Sequence, residues 1–171
     1  RLPLLADAGG HVAHDPGFYR ARPPLAPFAV ALLGGPALDV IRVRDAVRGY
    51  LLGEQHVLVE GAGGILSPLD ASHTMAELAI ELGLPVILVS LDALGTLSHT
   101  LSAVESAQSR GLELRAVVVR QPRDTDRSTS TNVDILRRRL DIPVHCFAHV
   151  ETPDELTAEG ESLLTRMRRA P

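Results

Sequence analysis

The chain has 171 residues, of which 45% are hydrophobic and 22% charged, with a formal net charge of −4, a profile that suits a globular domain able to bury a core of its own. Only 3% of the residues are aromatic, and no apolar run approaches the roughly 18 to 20 residues that cross a bilayer. The composition therefore excludes both a basic, ring-bearing nucleic-acid surface and a membrane span.

In chain order, residues 1 to 24 scatter Gly9, Gly10, Pro16, Gly17, Pro23 and Pro24 among short apolar pieces. They read as loop with at most one short strand at Leu2 to Ala6. Val40 to Leu52 carries apolar residues at helical spacing with arginines between them, the pattern of an amphipathic surface helix. His56 to Glu60 is short, apolar and β-branched and ends on glycines, which predicts a strand. Thr74 to Leu82 reads as a helix with Ser72 or His73 near its cap and Gly83 as its stop. Pro85 to Ser90 is a second apolar strand. Thr96 to Arg110 is a helix ended by Gly111, Leu114 to Val119 a third strand, and Asn132 to Leu140 a helix. Pro143 to Phe147 is a fourth strand, and Pro153 to Arg169 a terminal helix. The polar stretch Gln121 to Thr131 reads as a mobile loop. Apolar strands alternating with helices predict an α/β fold, in which a mostly parallel sheet is covered by helices on both faces in three layers with right-handed crossovers. One domain over 1–171 is expected.

Two features bound the setting. All 17 basic residues are arginines, since the sequence contains no lysine. Cys146 is the single cysteine and cannot form an internal disulfide. The first residues also lack the layout of a signal peptide, so a reducing cytoplasm is the expected compartment. The chain begins with Arg1 rather than methionine, which fits a fragment, a processed form or an incomplete sequence.

In parallel α/β sheets, ligands collect at the carboxyl ends of strands. Glu60 stands at such an end, followed by Gly61-Ala62-Gly63-Gly64. A carboxylate there can hold Mg²⁺, and glycines let backbone amides approach phosphate oxygens. A plain strand-to-loop turn with an exposed glutamate accounts for the same pattern. Further on, Thr96 stands at a helix start, where free amides and the helix dipole favour an anion.

The run VLVEGAGGILSPL, together with LGLPVILVSLDALGTLSHTLSAVESAQSRGL, resembles the middle of the dethiobiotin synthetase family. The likeness extends from about Pro23 to Val150 and is most specific from Val57 to Leu112. Upstream, Arg22 to Ala29 resembles the family's P-x-[SA]-P-H-x-A segment, and downstream Asn132 to Val144 resembles its N-x-x-x-L…I-P-V stretch. The resemblance implies a P-loop NTPase-like fold and a ligase of biotin biosynthesis. Such an enzyme uses ATP and Mg²⁺ to close a ureido ring on 7,8-diaminononanoate with CO₂, through a carbamate and its phosphorylated form. It implies that Glu60 binds Mg²⁺, with Asp15 as a second metal-binding candidate, and that Gly61, Ala62, Gly63 and Gly64 lie beside the carbamate and γ-phosphate. Leu94, Gly95, Thr96, Ser98 and His99 would receive the substrate carboxylate, with Pro27 also at the substrate. Arg120 and Gln121, with Ala148, His149 and Val150, would meet the nucleotide base. A homodimer is implied as well, since in this family the carboxylate comes from substrate held mainly by the other subunit.

The sequence departs from the family in several places. It holds no G-x-x-x-x-G-K-[ST] P-loop and no lysine to replace one, and arginine's planar fork does not substitute for a compact ammonium. Without these the chain alone is not expected to hydrolyse ATP; a P-loop is expected upstream of Arg1. Phe28 stands for the histidine after Pro27, Ser98 for an asparagine, and Arg120 and Gln121 for an asparagine that reads adenine. Ala148-His149-Val150 replaces a proline-containing turn.

Other polar residues carry less. His11 and His14 form a close pair without cysteine partners, Cys146 reads as a packed thiol, and Ser67 as a turn or cap residue. The arginine clusters 137–139 and 166–169 read as solvated helix faces. Two alternatives stand beside the dethiobiotin synthetase. One is a non-catalytic relative serving as a binding or regulatory module. The other is a ligase of the same fold, of the cobyrinic acid amidase type, against which the L-G-x-x-x-H segment argues.

Overall fold

A computed structural model describes residues 24–53, 57–61 and 63–169, with Tyr19 and Ala21. The expected strand at Leu2 to Ala6, Asp15, the His11/His14 pair and Ala62 lie outside the described residues. What is described falls into two compact units, one of residues 1–63 and 67–75, the other of residues 64–66 and 76–171.

Among the described residues the first unit holds the helices Pro27–Leu32 and Val40–Gly53. Helix α1, Pro27–Leu32, begins on a proline, whose fixed φ and missing N–H suit a first helical position. It carries Phe28, whose amide donates to the Pro68 carbonyl at 3.4 Å. The sequence pattern predicted no helix here, because six residues are too few to show a period. Helix α2, Val40–Gly53, follows the expected amphipathic stretch. The predicted strand at His56 to Glu60 is not formed: residues 57–60 run without ladder hydrogen bonds, and Leu58 is 87% exposed. A strand exists through its neighbour, and among the described residues none pairs with this one.

The second unit is an α/β module, in keeping with the expected fold class. Helix α3, Met75–Leu82, enters it from Ala76 onward and stops at Gly83, whose φ of +63° is the left-handed stop that glycine adopts freely. Strands β1, Val86–Leu91, β2, Leu114–Arg120, and β3, Val144–Phe147, form a parallel sheet in the order β1-β2-β3. Helix α4, Thr96–Ser109, links β1 to β2, and helix α5, Asn132–Arg139, links β2 to β3. Helix α6, Pro153–Arg169, packs back on β3.

The sheet is not covered evenly. Central β2 buries Ala116 to Val119 on both faces, as its unbroken apolar run requires. Strand β1 alternates instead, with Ile87, Val89 and Leu91 exposed. Coverage of both faces, expected for every strand, therefore holds for β2 but not for β1 among the described residues. The core gathers Val104, Val117, Val119, Leu136 and Val144, with Leu88, Leu97 and Leu101 packed against it. Full burial of each such side chain contributes about 1.5–3 kcal/mol. This packing fixes the start of α4 relative to the ends of β1 and β2. Among the described residues no helix is long and apolar enough to cross a membrane.

Candidate functional site

The carboxyl ends of the three parallel strands lie side by side. The Asp92 amide donates to the Arg120 carbonyl and the Gln121 amide to the Phe147 carbonyl, each at 2.8 Å. Hence Arg120 and Gln121, predicted from one stretch of sequence, stand beside the end of β3, from which Ala148, His149 and Val150 continue. The Ala148 amide is held at 3.3 Å by Glu159 of α6, and Arg166 bridges Glu159 and the Cys146 carbonyl at 2.9 Å each. The Nδ1 of His149 is buried without a hydrogen-bond partner among the described residues. Burial lowers the pKa of His145, with Arg166 and Arg137 adding repulsion. Burial raises that of the Cys146 thiol, with Asp92 adding to it, in keeping with an unreactive cysteine.

Between β1 and α4 the chain makes a tight turn. Gly95 has φ +94°, a conformation that a residue with a β-carbon adopts only with strain. Thr96 turns inward and is buried, whereas Leu94, Gly95, Ser98 and His99 are exposed. The His99 ring lies over Gly95, its Cε1 3.6 Å from where a β-carbon would stand. The Thr96 amide is taken by the Ala93 carbonyl and that of His99 by Gly95. The amides of Leu97 and Ser98 have no hydrogen-bond partner among the described residues, so the helix start keeps two donors and the positive end of its dipole for an anion. The amide of Leu94 is engaged by Asp126 Oδ2 at 2.9 Å.

Three residues that the sequence reading passed over organise this region. Asp92 is fully buried; its Oδ1 accepts from Asn132 Nδ2 at 2.8 Å, while its Oδ2 has no partner among the described residues. Asn132, also buried, opens α5. Asp126 caps a 3₁₀ turn, Arg127–Ser130. Its carboxyl is held below its ordinary pKa by hydrogen bonds, first from the Ser128 side chain and amide and then from the Leu94 amide. Much of the stretch expected to be a mobile loop is thus ordered by local hydrogen bonds. A signal was available in Asp126-Arg127-Ser128-Thr129, since an aspartate two or three residues before polar backbone donors is a cap pattern. Asp92 carried none beyond its place at the end of an apolar strand.

In the other unit, Glu60 and Gly61 are exposed. A β-carbon at Gly61 would stand 3.1 Å from Met75 Cε, and one at Gly63, where φ is +108°, 2.9 Å from Ser67 Oγ. Gly63 therefore needs to be glycine, both for its backbone and for its space. Gly64 is exposed and belongs to the α/β unit. Pro27 is the buried first residue of α1. Nearby in sequence, Asp70 accepts the Ser72 and His73 amides at 2.7 Å and pairs with the His73 ring at 2.9 Å. These bonds outweigh its partial burial and hold its carboxyl below its ordinary pKa.

As for a metal, no cluster of three or more His, Cys, Asp or Glu side chains occurs among the described residues. Magnesium commonly takes one or two carboxylates, completing its shell with water and phosphate, and the exposed Glu60 fits that part. The triphosphate does not fit the residues present, because the sequence offers neither a P-loop nor a lysine.

A family model described as "AAA domain" matches residues 10–160. The ATP-dependent dethiobiotin synthetase BioD of Anaeromyxobacter sp. (strain Fw109-5) is 44% identical over 108 residues, 63% of this chain and 48% of that protein. The protein of the same name from Aromatoleum aromaticum is 38% identical over 135 residues, 76% of this chain and 60% of its own length. That of Caulobacter vibrioides is 42% identical over 107 residues, covering 61% and 49%. The chain spans about half the length of the curated relatives it matches.

Proposed function

The chain belongs to the AAA-domain family whose model spans residues 10–160, and from that premise we propose that it serves an ATP-dependent dethiobiotin synthetase. The reaction closes a cyclic urea on 7,8-diaminononanoate with CO₂. What carries this reading is the L-G-T-L-S-H segment, which lies in the stretch from Val57 to Leu112 where the likeness to that family is most specific. It folds as a helix start with the Leu97 and Ser98 amides unengaged among the described residues.

In this reaction one amine attacks CO₂ to give a carbamate, phosphorylation makes a leaving group of a carbamate oxygen, and the second amine displaces phosphate. The residues in hand bind and orient. The turn Gly95–His99 receives the substrate carboxylate through the Leu97 and Ser98 amides, with Ser98 and His99 at its rim. Glu60 would hold Mg²⁺, which supplies charge neutralisation when bound, and the glycines after it suit backbone amides near phosphate oxygens. Arg120, Gln121 and Ala148–Val150, adjacent at the strand ends, border the nucleotide base. No phosphoryl-transfer step is assigned to these residues, since none of them replaces the lysine and hydroxyl of a P-loop. The carboxylate is delivered by substrate on a second copy of the chain, and a reducing cytoplasm suits the free Cys146.

The test is direct. Full-length protein incubated with diaminononanoate, bicarbonate and MgATP is expected to form dethiobiotin, detected by mass, with ADP released in step. ADP release without dethiobiotin, or neither product, would refute the assignment.

A further inference from the structure

The turn between β1 and α4 is held from a distance. Segment 126–132, separated from it by the whole of α4 and β2, reaches it at three points. Asp126 Oδ2 accepts the Leu94 amide at 2.9 Å, Asn132 Nδ2 donates to Asp92 Oδ1 at 2.8 Å, and the same Nδ2 lies 3.5 Å from the Ala93 carbonyl and 3.3 Å from Ser128 Oγ. Asp126 is itself fixed, since its Oδ1 accepts the Ser128 amide at 2.6 Å as well as the Ser128 hydroxyl.

A glycine at φ +94° has many alternatives open to it. Residues 92–94 just before it are pinned through a side chain, a carbonyl and an amide, which removes most of that freedom. The direction in which the Leu97 and Ser98 amides point follows from the turn so fixed.

We infer that Asp126 and Asn132 are positioning residues for the carboxylate-binding turn, setting its affinity for the substrate carboxylate without touching it. This rests on the reading of that turn given under Proposed function. The alternative role for Asp126 is electrostatic: a carboxylate beside an anion site opposes anion binding, and its loss would then tighten it. Positioning predicts the opposite sign.

The test uses the full-length protein and the variants Asp126→Ala, Asp126→Asn and Asn132→Ala. Loss of a hydrogen bond to a charged group that orders a site costs on the order of tenfold in affinity. Asp126→Ala should therefore raise the Kd for diaminononanoate, read by calorimetry, by about tenfold. The KM for ATP and the kcat at saturating substrates should stay unchanged. Asp126→Asn, which keeps one acceptor oxygen for the Leu94 amide but loses the one that holds the Ser128 amide, should recover part of the loss, and hydrogen exchange at the Leu94 amide should be fastest in Asp126→Ala. Asn132→Ala should weaken substrate in the same selective way; because it also strips a buried carboxylate of its donor, Asp126→Ala is the deciding variant should it fail to fold. Wild-type binding with Asp126→Ala equal to it or tighter overturns the positioning role only. Wild-type protein that does not bind diaminononanoate overturns the turn's assignment, and the positioning role with it.

Discussion

The turn at Leu91–His99 and the segment at Val57–Gly61 were read from similar patterns, an apolar stretch running into glycine, yet they fold differently. The first ends a paired strand, β1, and opens a 14-residue helix. The second runs unpaired among the described residues, with Leu58 at 87% exposure. A helix start carries its own donors, here in a turn steadied from segment 126–132, whereas a strand is defined by the neighbour it pairs with. A helix start therefore forms its donors locally, while its orientation, like a strand's pairing, depends on residues remote in sequence.

Glutamate 60 offers the sharpest way to break that comparison. It is exposed, so Glu60→Gln should leave the melting temperature within about a degree, as surface changes usually do. If Glu60 holds Mg²⁺ as proposed, its loss should lower kcat for dethiobiotin formation on the order of a hundredfold. Turnover near wild type would leave Glu60 a solvated turn residue and remove the glycine segment from the site.

Gly95→Ala should have a smaller effect of a different kind. A β-carbon at this position meets only the His99 ring at an ordinary 3.6 Å, so its cost is the left-handed backbone, about 1–2 kcal/mol. The protein should melt a few degrees lower with a raised KM for diaminononanoate. Stability and substrate affinity move together here, whereas at Glu60 only turnover moves. A Gly95→Ala protein of unchanged KM would show that the turn's shape does not matter to substrate.

Much of the α/β unit was legible in the sequence. Helix α4 declared itself by apolar spacing and by Gly111, whose φ is +75°; β2 by an unbroken apolar run; α6 by its periodicity. What stayed hidden depended on partners remote in sequence. Helix α1 is too short to show a period. The predicted strand at His56 to Glu60 required a neighbour that a local pattern cannot supply. The resemblance put Leu94 in the substrate segment, and only the fold shows its amide held by a carboxylate 32 residues away. The buried pair Asp92 and Asn132, 40 residues apart, was invisible for the same reason.

The most direct measurement is an amide NMR titration of the isotope-labelled, full-length protein with 7,8-diaminononanoate. Saturable shifts centred on Leu97, Ser98 and His99 are expected, with Thr96 following and the Val57–Gly61 amides moving only once MgATP is added. Saturable binding that leaves Leu97 and Ser98 unmoved would contradict the assignment of the helix start to the substrate carboxylate.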